Sequence, residues 1–416
     1  MEELGNILKK TKSASKFLID ASPNVKNNIL KKISIALINE KNEVLNSNEK
    51  DLILAREKNM KKSFVDRLML NYERIEKIAA SLQKIALLES PIGKIFCGRT
   101  LENKLEIYKK RVPLGVIAII YESRPNVTID SFGLCFKACN ALILKGGVDA
   151  FNTNQKFCQI IKSVLKNSDI PMDVVNIIED NSKENVLKLM RSVGYIDLLI
   201  ARGGKNLIKS IRENAKVPYI ETATGNCHVY VDKFADFDMA IKIIINAKTQ
   251  RVSVCNSCES VVIHTDIAEV FLPKLLCVLR EKNVEVRGDE YAKTICEDIV
   301  LATALDWEEE YLDLIISVRI VKNLNEAILH VNKYSSSHSE TIVTNNYQNA
   351  REFQNKIDSA VVYVNASTRF TDGEEFGLGS ELGISTQKLH VRGPIGLDDL
   401  TTIKYIVNGN GQVRES

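Results

Sequence analysis

The sequence predicts an α/β protein made of two parallel-sheet α/β domains, with a small hairpin and tail added to them. Three observations carry this expectation. From Val116 onward the apolar runs "VIAII", "ALILKGG", "VVNII" and "IDLLIA" alternate with helical patterns such as "DSFGLCFKACN" and "SKENVLKLMRS", as βαβ units on a parallel sheet do. After Glu221 a second set follows, "HVYVD", "SVVIH", "IISVRIV", "ETIVT" and "AVVYV", again with helices between. The 416 residues, 45% hydrophobic and 26% charged, supply enough core for two or three domains of ordinary globular composition.

The elements follow in order. Residues 1–92 read as helical. Leu4, Ile7, Leu8, Ala14 and Leu18 fit one face of an amphipathic helix. Ser22 before Pro23 makes an N-cap with proline in the first turn, and Val25, Ile29, Ile33 and Leu37 follow at helical spacing. The stretch "RIEKIAASLQKIALLES" continues in that style and stops at Pro91 and Gly93. The short alternating block "TLENKLEIYKKRVPLG" predicts a hairpin. The expected organisation is one domain from 1–96 and 114–221, a second from 222–397, and a hairpin and tail from 97–113 and 398–416. There is no internal repeat and no low-complexity linker.

Composition narrows the function classes. Net charge is +3 with acids and bases interspersed, so neither a nucleic-acid nor a membrane surface is expected. The start mixes Glu2 and Glu3 with lysines and has no apolar core, unlike a signal peptide. The longest apolar run, "VIAIIY", is too short to span a bilayer. Nine cysteines without a regular framework read as reduced thiols, which sets a cytoplasmic location as the expectation.

Two glycine patterns and one cysteine pattern hold candidate chemistry. "GLGSELG", from Gly377 to Gly383, has the wrong spacing for a dinucleotide loop and no βαβ unit after it. In "LLIARGGKNLIKS" a strand ends at Ala201, Gly203 and Gly204 follow, and a helix begins near Asn206. Such a turn is either an anion site, with backbone N–H groups and a helix N-terminus facing a phosphate, or an ordinary tight connection. Cys255 and Cys258 in "RVSVCNSCESVVIH" are spaced C-x-x-C. No second such pair exists to complete a zinc site, so no metal is expected. Buried structural thiols, a single nucleophile beside a cation such as Arg251, and a redox pair all stay open on the residues alone.

The blocks "VPLGVIAIIYESRPNVTIDSF", "ALILKGG", "YIETATGNCHVYVD", "RVSVCN", "YSSSHSETIVTNN", "VNASTRF" and "FGLGSELGISTQKLHVRGPIGLDDLTTIKY" run in order over nearly the whole chain. Together they resemble the gamma-glutamyl phosphate reductase family of the aldehyde dehydrogenase superfamily. The resemblance implies an aldehyde dehydrogenase-like fold, with residues 1–96 and 114–221 binding cofactor, 222–397 catalytic, and the hairpin and tail building a homo-oligomer. It implies that Cys255, followed by Asn256, is the nucleophile and that Cys258 is a core residue. Glu221 lies 34 residues earlier (255 − 221), the superfamily's spacing between glutamate and thiol. Asn126 is implied as the side-chain donor to an oxyanion, Lys145 as the contact to the adenosine ribose, and Glu310 as the contact to the nicotinamide ribose. The chain departs from the family at Val148 and Asp149 of "GGVDAFNTN" and at Ala223 of "ETATGN". No kinase segment is attached, so the free-standing form is expected.

The implied reaction is the NADPH-dependent reduction of L-glutamyl 5-phosphate to L-glutamate 5-semialdehyde and phosphate through a cysteine thioester, the second step of proline synthesis. The alternatives are a hydrolytic or CoA-dependent aldehyde dehydrogenase of the same fold, and a non-catalytic oligomeric thiol protein. A substrate with carboxylate and phosphate calls for planar arginines. Glu122 and Arg124 of "YESRPN", Ser367, Thr368 and Arg369 of "NASTRF", and His338 of "SSSHSE" are the candidates. NADP is the expected cofactor, and a transient contact with glutamate 5-kinase the expected partner interaction. Glu221 is expected to shuttle protons or hold the substrate ammonium, because water must be kept from the thioester.

Overall fold

The computed structural model describes residues 2–60, 62–180, 182–222 and 224–414, so Ala223 lies outside the described residues. The chain divides into two compact units. The first comprises Met1–Glu221, Gly377–Gly383 and Ile395–Ser416, the second Thr222–Phe376 and Ile384–Pro394.

In the first unit the helix Glu2–Asp20 buries Leu4, Leu8, Ala14 and Leu18. Ser22 caps the helix Pro23–Asn39, its Oγ accepting the Val25 N–H at 3.3 Å. Ile29, Ile33 and Leu37 of that helix are buried, while Val25, in the capped first turn, stays exposed. A five-stranded sheet of parallel neighbours runs in the order Val175–Ile177, Ala141–Gly146, Val116–Tyr121, Leu198–Arg202, Tyr219–Glu221. Val116–Tyr121 and Ala141–Gly146 are buried at every position. They are covered on both faces, which is why they read as unbroken apolar runs and not as alternating ones. The chain continues from Val116–Tyr121 to one side and later returns to the other. Val116–Tyr121 and Leu198–Arg202 therefore flank a topological switch point, and in open α/β sheets ligands bind beyond the carboxyl ends of the strands at such a point.

The expected hairpin is present as the antiparallel strands Ile95–Thr100 and Glu106–Pro113. It begins earlier than the alternating block because Ile95 and Phe96 already pair with Lys110 and Lys109, ahead of a bulge before Arg99. The tail strand Thr401–Asn408 pairs antiparallel along the whole of Glu106–Pro113.

The second unit holds a seven-stranded sheet of parallel neighbours. Its order is Val300–Leu301, Glu285–Gly288, Ile315–Val321, Cys258–His264, Cys227–Val231, Ser339–Val343, Val361–Val364. Period-2 alternation divides each strand between two cores. Val229, Val231, Val261 and Ile263 pack against Ile244, Phe271 and Leu275 of the helices Phe237–Thr249 and Thr265–Glu281. Tyr230 and Val262 pack on the other face, against Ile328, Val331 and Phe353 of the helices Leu324–Tyr334 and Tyr347–Lys356. The central strands are neighbours in register, Cys227 facing Cys258 and His228 facing Glu340. Whatever precedes those three strands is thereby brought to one edge of the sheet. No helix among the described residues is long and apolar enough to cross a membrane.

Candidate active site

Three peptide segments meet at that edge. The turn carrying Cys255 precedes Cys258–His264, Gly225 and Asn226 precede Cys227–Val231, and His338 precedes Ser339–Val343. The Cys255 thiol is half-buried, and its Sγ lies 3.2 Å from Nε2 of the buried His338. On the other side of the ring, Nδ1 is 2.8 Å from Ser339 Oγ and 3.8 Å from Cys227 Sγ. A thiol facing one imidazole nitrogen while a hydroxyl holds the other is the arrangement that lets a base activate a nucleophile.

The turn itself is fixed from both sides. Gly225 lies against the backbone of Cys255 so closely that a Cβ there would sit 1.4 Å from the Cys255 carbonyl oxygen, which only glycine avoids. The Gly225 N–H donates to Glu310 Oε1 at 2.7 Å. Asn256 donates from Nδ2 to the carbonyls of Thr371 (2.9 Å) and Arg369 (3.3 Å), and Thr368 Oγ1 donates to the Asn256 carbonyl at 2.7 Å. Arg369 returns a bond to Asn256 Oδ1 and another, at 2.7 Å, to Gln250 Oε1. Ser367 caps this short 3-10 turn, accepting the Arg369 N–H. So the structure gathers Cys255, His338, Ser367, Arg369 and Glu310 around one turn, and it gives Asn256 a positioning role that the sequence did not show.

The other cysteines behave differently. Cys258 is fully buried, donates to the Ser260 carbonyl at 3.3 Å, and has its thiol pushed up by burial to about 12. Cys255 and Cys258 are both free thiols. Cys227 donates to the Cys255 carbonyl at 3.2 Å, and burial raises its thiol well above its ordinary value. Neither buried thiol ionises near neutrality.

In the first unit the other candidates lie at the carboxyl ends of the strands. Glu122 directly follows the strand Val116–Tyr121 and accepts the Gly204 N–H at 2.8 Å. A Cβ on Gly203 would come within 2.6 Å of the same carboxylate, so a larger residue there would push the Glu122 and Leu207 side chains aside. The carboxylate sits at the N-terminus of the helix Lys205–Asn214, where negative charge is favoured. Arg124 is half-buried in the same loop, and Asn126 begins the helix Asn126–Lys137, donating to Asp130 at 2.9 Å. Burial raises the Asp130 carboxyl above its ordinary value. Lys145 is the penultimate residue of the neighbouring strand Ala141–Gly146, buried, with Nζ donating to the Gly146 carbonyl at 2.9 Å; burial lowers its pKa and Asp180 opposes that. Glu221 ends the last strand and is paired by two nitrogens of Arg212, Nε approaching to 2.9 Å. The Glu221 hydrogen bonds raise the pKa of Arg212.

The aldehyde dehydrogenase family profile matches residues 2–294 and 291–405. The chain belongs to the aldehyde dehydrogenase family. Among curated members, a gamma-glutamyl phosphate reductase of Lachnospira eligens is 51% identical over 415 residues, spanning 100% of both chains. One of Clostridium perfringens is 52% identical over 98% of each. The crystal structure of gamma-glutamyl phosphate reductase from Thermotoga maritima superposes with a TM-score of 0.95 at 47% identity, covering 99% of this chain and 100% of that one. An acetylating aldehyde dehydrogenase from Geobacillus thermoglucosidasius shares the fold with a TM-score of 0.72 at 17% identity, covering 100% of this chain and 98% of that one. The fold is aldehyde dehydrogenase-like, as the resemblance implied.

Proposed function

We propose that this chain is an NADPH-dependent gamma-glutamyl phosphate reductase working through a thioester on Cys255, in the second step of proline synthesis. The observation that carries the reading is the Cys255 Sγ–His338 Nε2 contact of 3.2 Å, in a chain 51–52% identical to reductases of that name. His338 takes the thiol proton, the thiolate attacks the acyl carbon, and the C–O bond to phosphate breaks. The departing phosphate oxygen accepts the proton from Nε2 and leaves as hydrogen phosphate.

The cofactor, when bound, supplies the hydride that reduces the acyl group. The first unit fits such a group. It has a topological switch point, exposed Gly204 and Lys205 opening a helix, and the buried Lys145 on the strand Ala141–Gly146. Lys145 is assigned to the adenosine ribose and its phosphate, Gly203 and Gly204 to the pyrophosphate, and Glu310 to the nicotinamide ribose. Glu122 then serves the Gly203–Gly204 turn more than the substrate.

Asn126 is assigned to the acyl oxygen: its amide has two hydrogens and Asp130 takes one. Arg124, Ser367 and Arg369 are assigned to the substrate's carboxylate and phosphate. Arg212 engages both oxygens of the Glu221 carboxylate, which supports Glu221 in a role other than positioning water for hydrolysis. The three-stranded hairpin sheet is assigned to a homo-oligomer, and a labile acyl phosphate favours transient contact with the kinase that makes it. The nine free thiols accord with the cytoplasm.

Semialdehyde-dependent reduction of NADP, measured with and without inorganic phosphate, tests the reading. Turnover that requires phosphate is expected. Turnover indifferent to phosphate and stimulated by CoA would replace it with the CoA-dependent alternative.

A further inference from the structure

A continuous chain of hydroxyl groups leads away from His338. Nδ1 lies 2.8 Å from Ser339 Oγ, which lies 2.6 Å from Thr371 Oγ1, which lies 2.8 Å from the Tyr363 hydroxyl. His338, Ser339 and Thr371 are all fully buried, whereas Tyr363 is half-buried on Val361–Val364, the edge strand of its sheet. The chain thus starts at the thiol that reacts and ends where the sheet ends.

We propose that Ser339, Thr371 and Tyr363 form a proton relay that serves the Cys255–His338 pair. Each hydroxyl has one hydrogen and can both donate and accept. The chain therefore has two ordered states. With every hydroxyl donating outward, Ser339 Oγ accepts Nδ1–H and the Nε2 lone pair faces the thiol. With every hydroxyl donating inward, Ser339 donates to Nδ1 and an Nε2–H faces the sulfur. Passing from one state to the other moves one proton along the chain without leaving a charge on any hydroxyl. Burial holds the Tyr363 phenol near 12, so it conducts as a neutral group.

The reaction proposed above needs such a path. Acylation forms the S–C bond, breaks the C–O bond to phosphate, and gives the thiol proton to the departing hydrogen phosphate. Once the acyl carbon has been reduced with the cofactor's two electrons, the C–S bond breaks and Cys255 leaves as a thiolate. One proton must then return from solvent in each turnover, and in the reverse direction one must leave. His338 is buried, so the hydroxyl chain is its route outward. Charged and titratable groups around the pair include Arg369, which interacts with Cys255 and has Arg251 and Asp372 near its guanidinium, and Cys227, 3.8 Å from Nδ1 and itself near Glu340. None of them lies in the hydroxyl chain.

The inference rests on the reading of Cys255 and His338 given above, so its test has one arm that needs no substrate. Thr371→Val keeps the shape and removes the middle hydroxyl, Thr371→Ser restores it, and Tyr363→Phe removes the end. The first arm alkylates Cys255 with iodoacetamide across pH, read by peptide mapping because Cys97 and Cys277 are also exposed. Without Thr371 Oγ1 the imidazolium loses support at Nδ1, so the alkylation midpoint is expected to rise in Thr371→Val and return in Thr371→Ser. The second arm follows phosphate-dependent turnover against imidazole buffer at constant ionic strength. Thr371→Val and Tyr363→Phe are expected to lose on the order of 10²-fold in kcat and to recover part of it as buffer rises. An unmoved midpoint in Thr371→Val overturns the relay. So does a loss of kcat that buffer does not restore, because a merely structural role would produce that. If the unsubstituted protein shows no phosphate-dependent turnover, the functional reading has failed, and the alkylation arm alone decides the coupling to His338.

Discussion

Gly225→Ala places a methyl group 1.4 Å from the Cys255 carbonyl oxygen and 2.2 Å from its carbon. An ordinary carbon–oxygen contact is about 3.3 Å, so one of the two segments has to move by about 2 Å. The Gly225 side resists. Asn226, the next residue, donates from Nδ2 to the carbonyls of Trp307 and Tyr334, both at 2.8 Å, and its N–H donates to Ser336 Oγ at 2.9 Å. The Cys255 turn is anchored too, through Asn256, so the displacement is shared, and the part that falls on this turn carries Sγ away from His338 Nε2, now 3.2 Å distant. Displacing a reacting group by about 1 Å costs on the order of 10²-fold in rate, so turnover should fall by at least that much. Overpacking should cost about 1–3 kcal/mol of stability. The assay pairs phosphate-dependent NADP reduction with thermal unfolding of the same preparation. Gly98→Ala is the steric control, since its methyl meets nothing nearer than 3.9 Å. A folded Gly225→Ala protein with near wild-type turnover would refute both the close approach and the role of the Cys255 turn.

Four further outcomes are expected. Cys255→Ser should keep its fold yet lose nearly all turnover, because a hydroxyl is far harder than a thiol for His338 to deprotonate, whereas Cys258→Ala should cost about 1 kcal/mol of stability with chemistry intact; kinetics and unfolding of the two variants separate them. Lys145→Ala should lower the ratio of NADPH to NADH efficiency, and an unchanged ratio would remove Lys145 from the cofactor site. Burial opposes ionisation of Asp306, but bonds from Arg287, Thr303 and Tyr311 outweigh it and hold the carboxyl at about 2, below its ordinary 3.8. Its stabilising contribution is therefore present above 3.8 and lost as pH falls toward about 2, so the stability gap between the unsubstituted protein and Asp306→Asn should close over that range; a gap constant with pH would contradict this. The tail strand exposes Ile403, Tyr405 and Val407, a face that an oligomer would cover, and a monodisperse monomer in light scattering would count against it.

Most strands of both sheets were legible because each is an unbroken or alternating apolar run bounded by helices, and the capped second helix was legible from Ser22, Pro23 and the spacing of Ile29, Ile33 and Leu37. Three strands escaped. Tyr219–Glu221 is three residues long and Val300–Leu301 two, and Glu285–Gly288 reads "EVRG", with too few apolar positions to show a period. The hairpin was placed but begun too late, since the pairing of Ile95 and Phe96 comes from partners fifteen and thirteen residues onward and not from local pattern. The carboxylate partners were invisible for a related reason. Arg212 reaches Glu221 from the preceding helix, and Glu122 reaches Gly204 across the gap between two strands distant in sequence.

His338 shows where the limit lies. It was singled out for contacting phosphate, yet it stands against the thiol of Cys255, 83 residues earlier. No spacing rule links the two. What links them is the order of strands in a parallel sheet: Cys258–His264, Cys227–Val231 and Ser339–Val343 are neighbours that all run the same way. Residues just before parallel neighbours must share an edge. The sequence did carry half of that information, because "VCNS" comes immediately before "CESVVIH" and "SSSH" immediately before "SETIV". Both polar turns open a strand. The missing half was the neighbour relation, which depends on how helices such as Phe237–Thr249 and Leu324–Tyr334 divide between the two faces of the sheet. That division is a tertiary packing choice, made by the summed burial of both cores and by no local signal. Cys255 was thus singled out only through the family resemblance, while the His338 imidazole beside it is fixed only when the sheet closes around them.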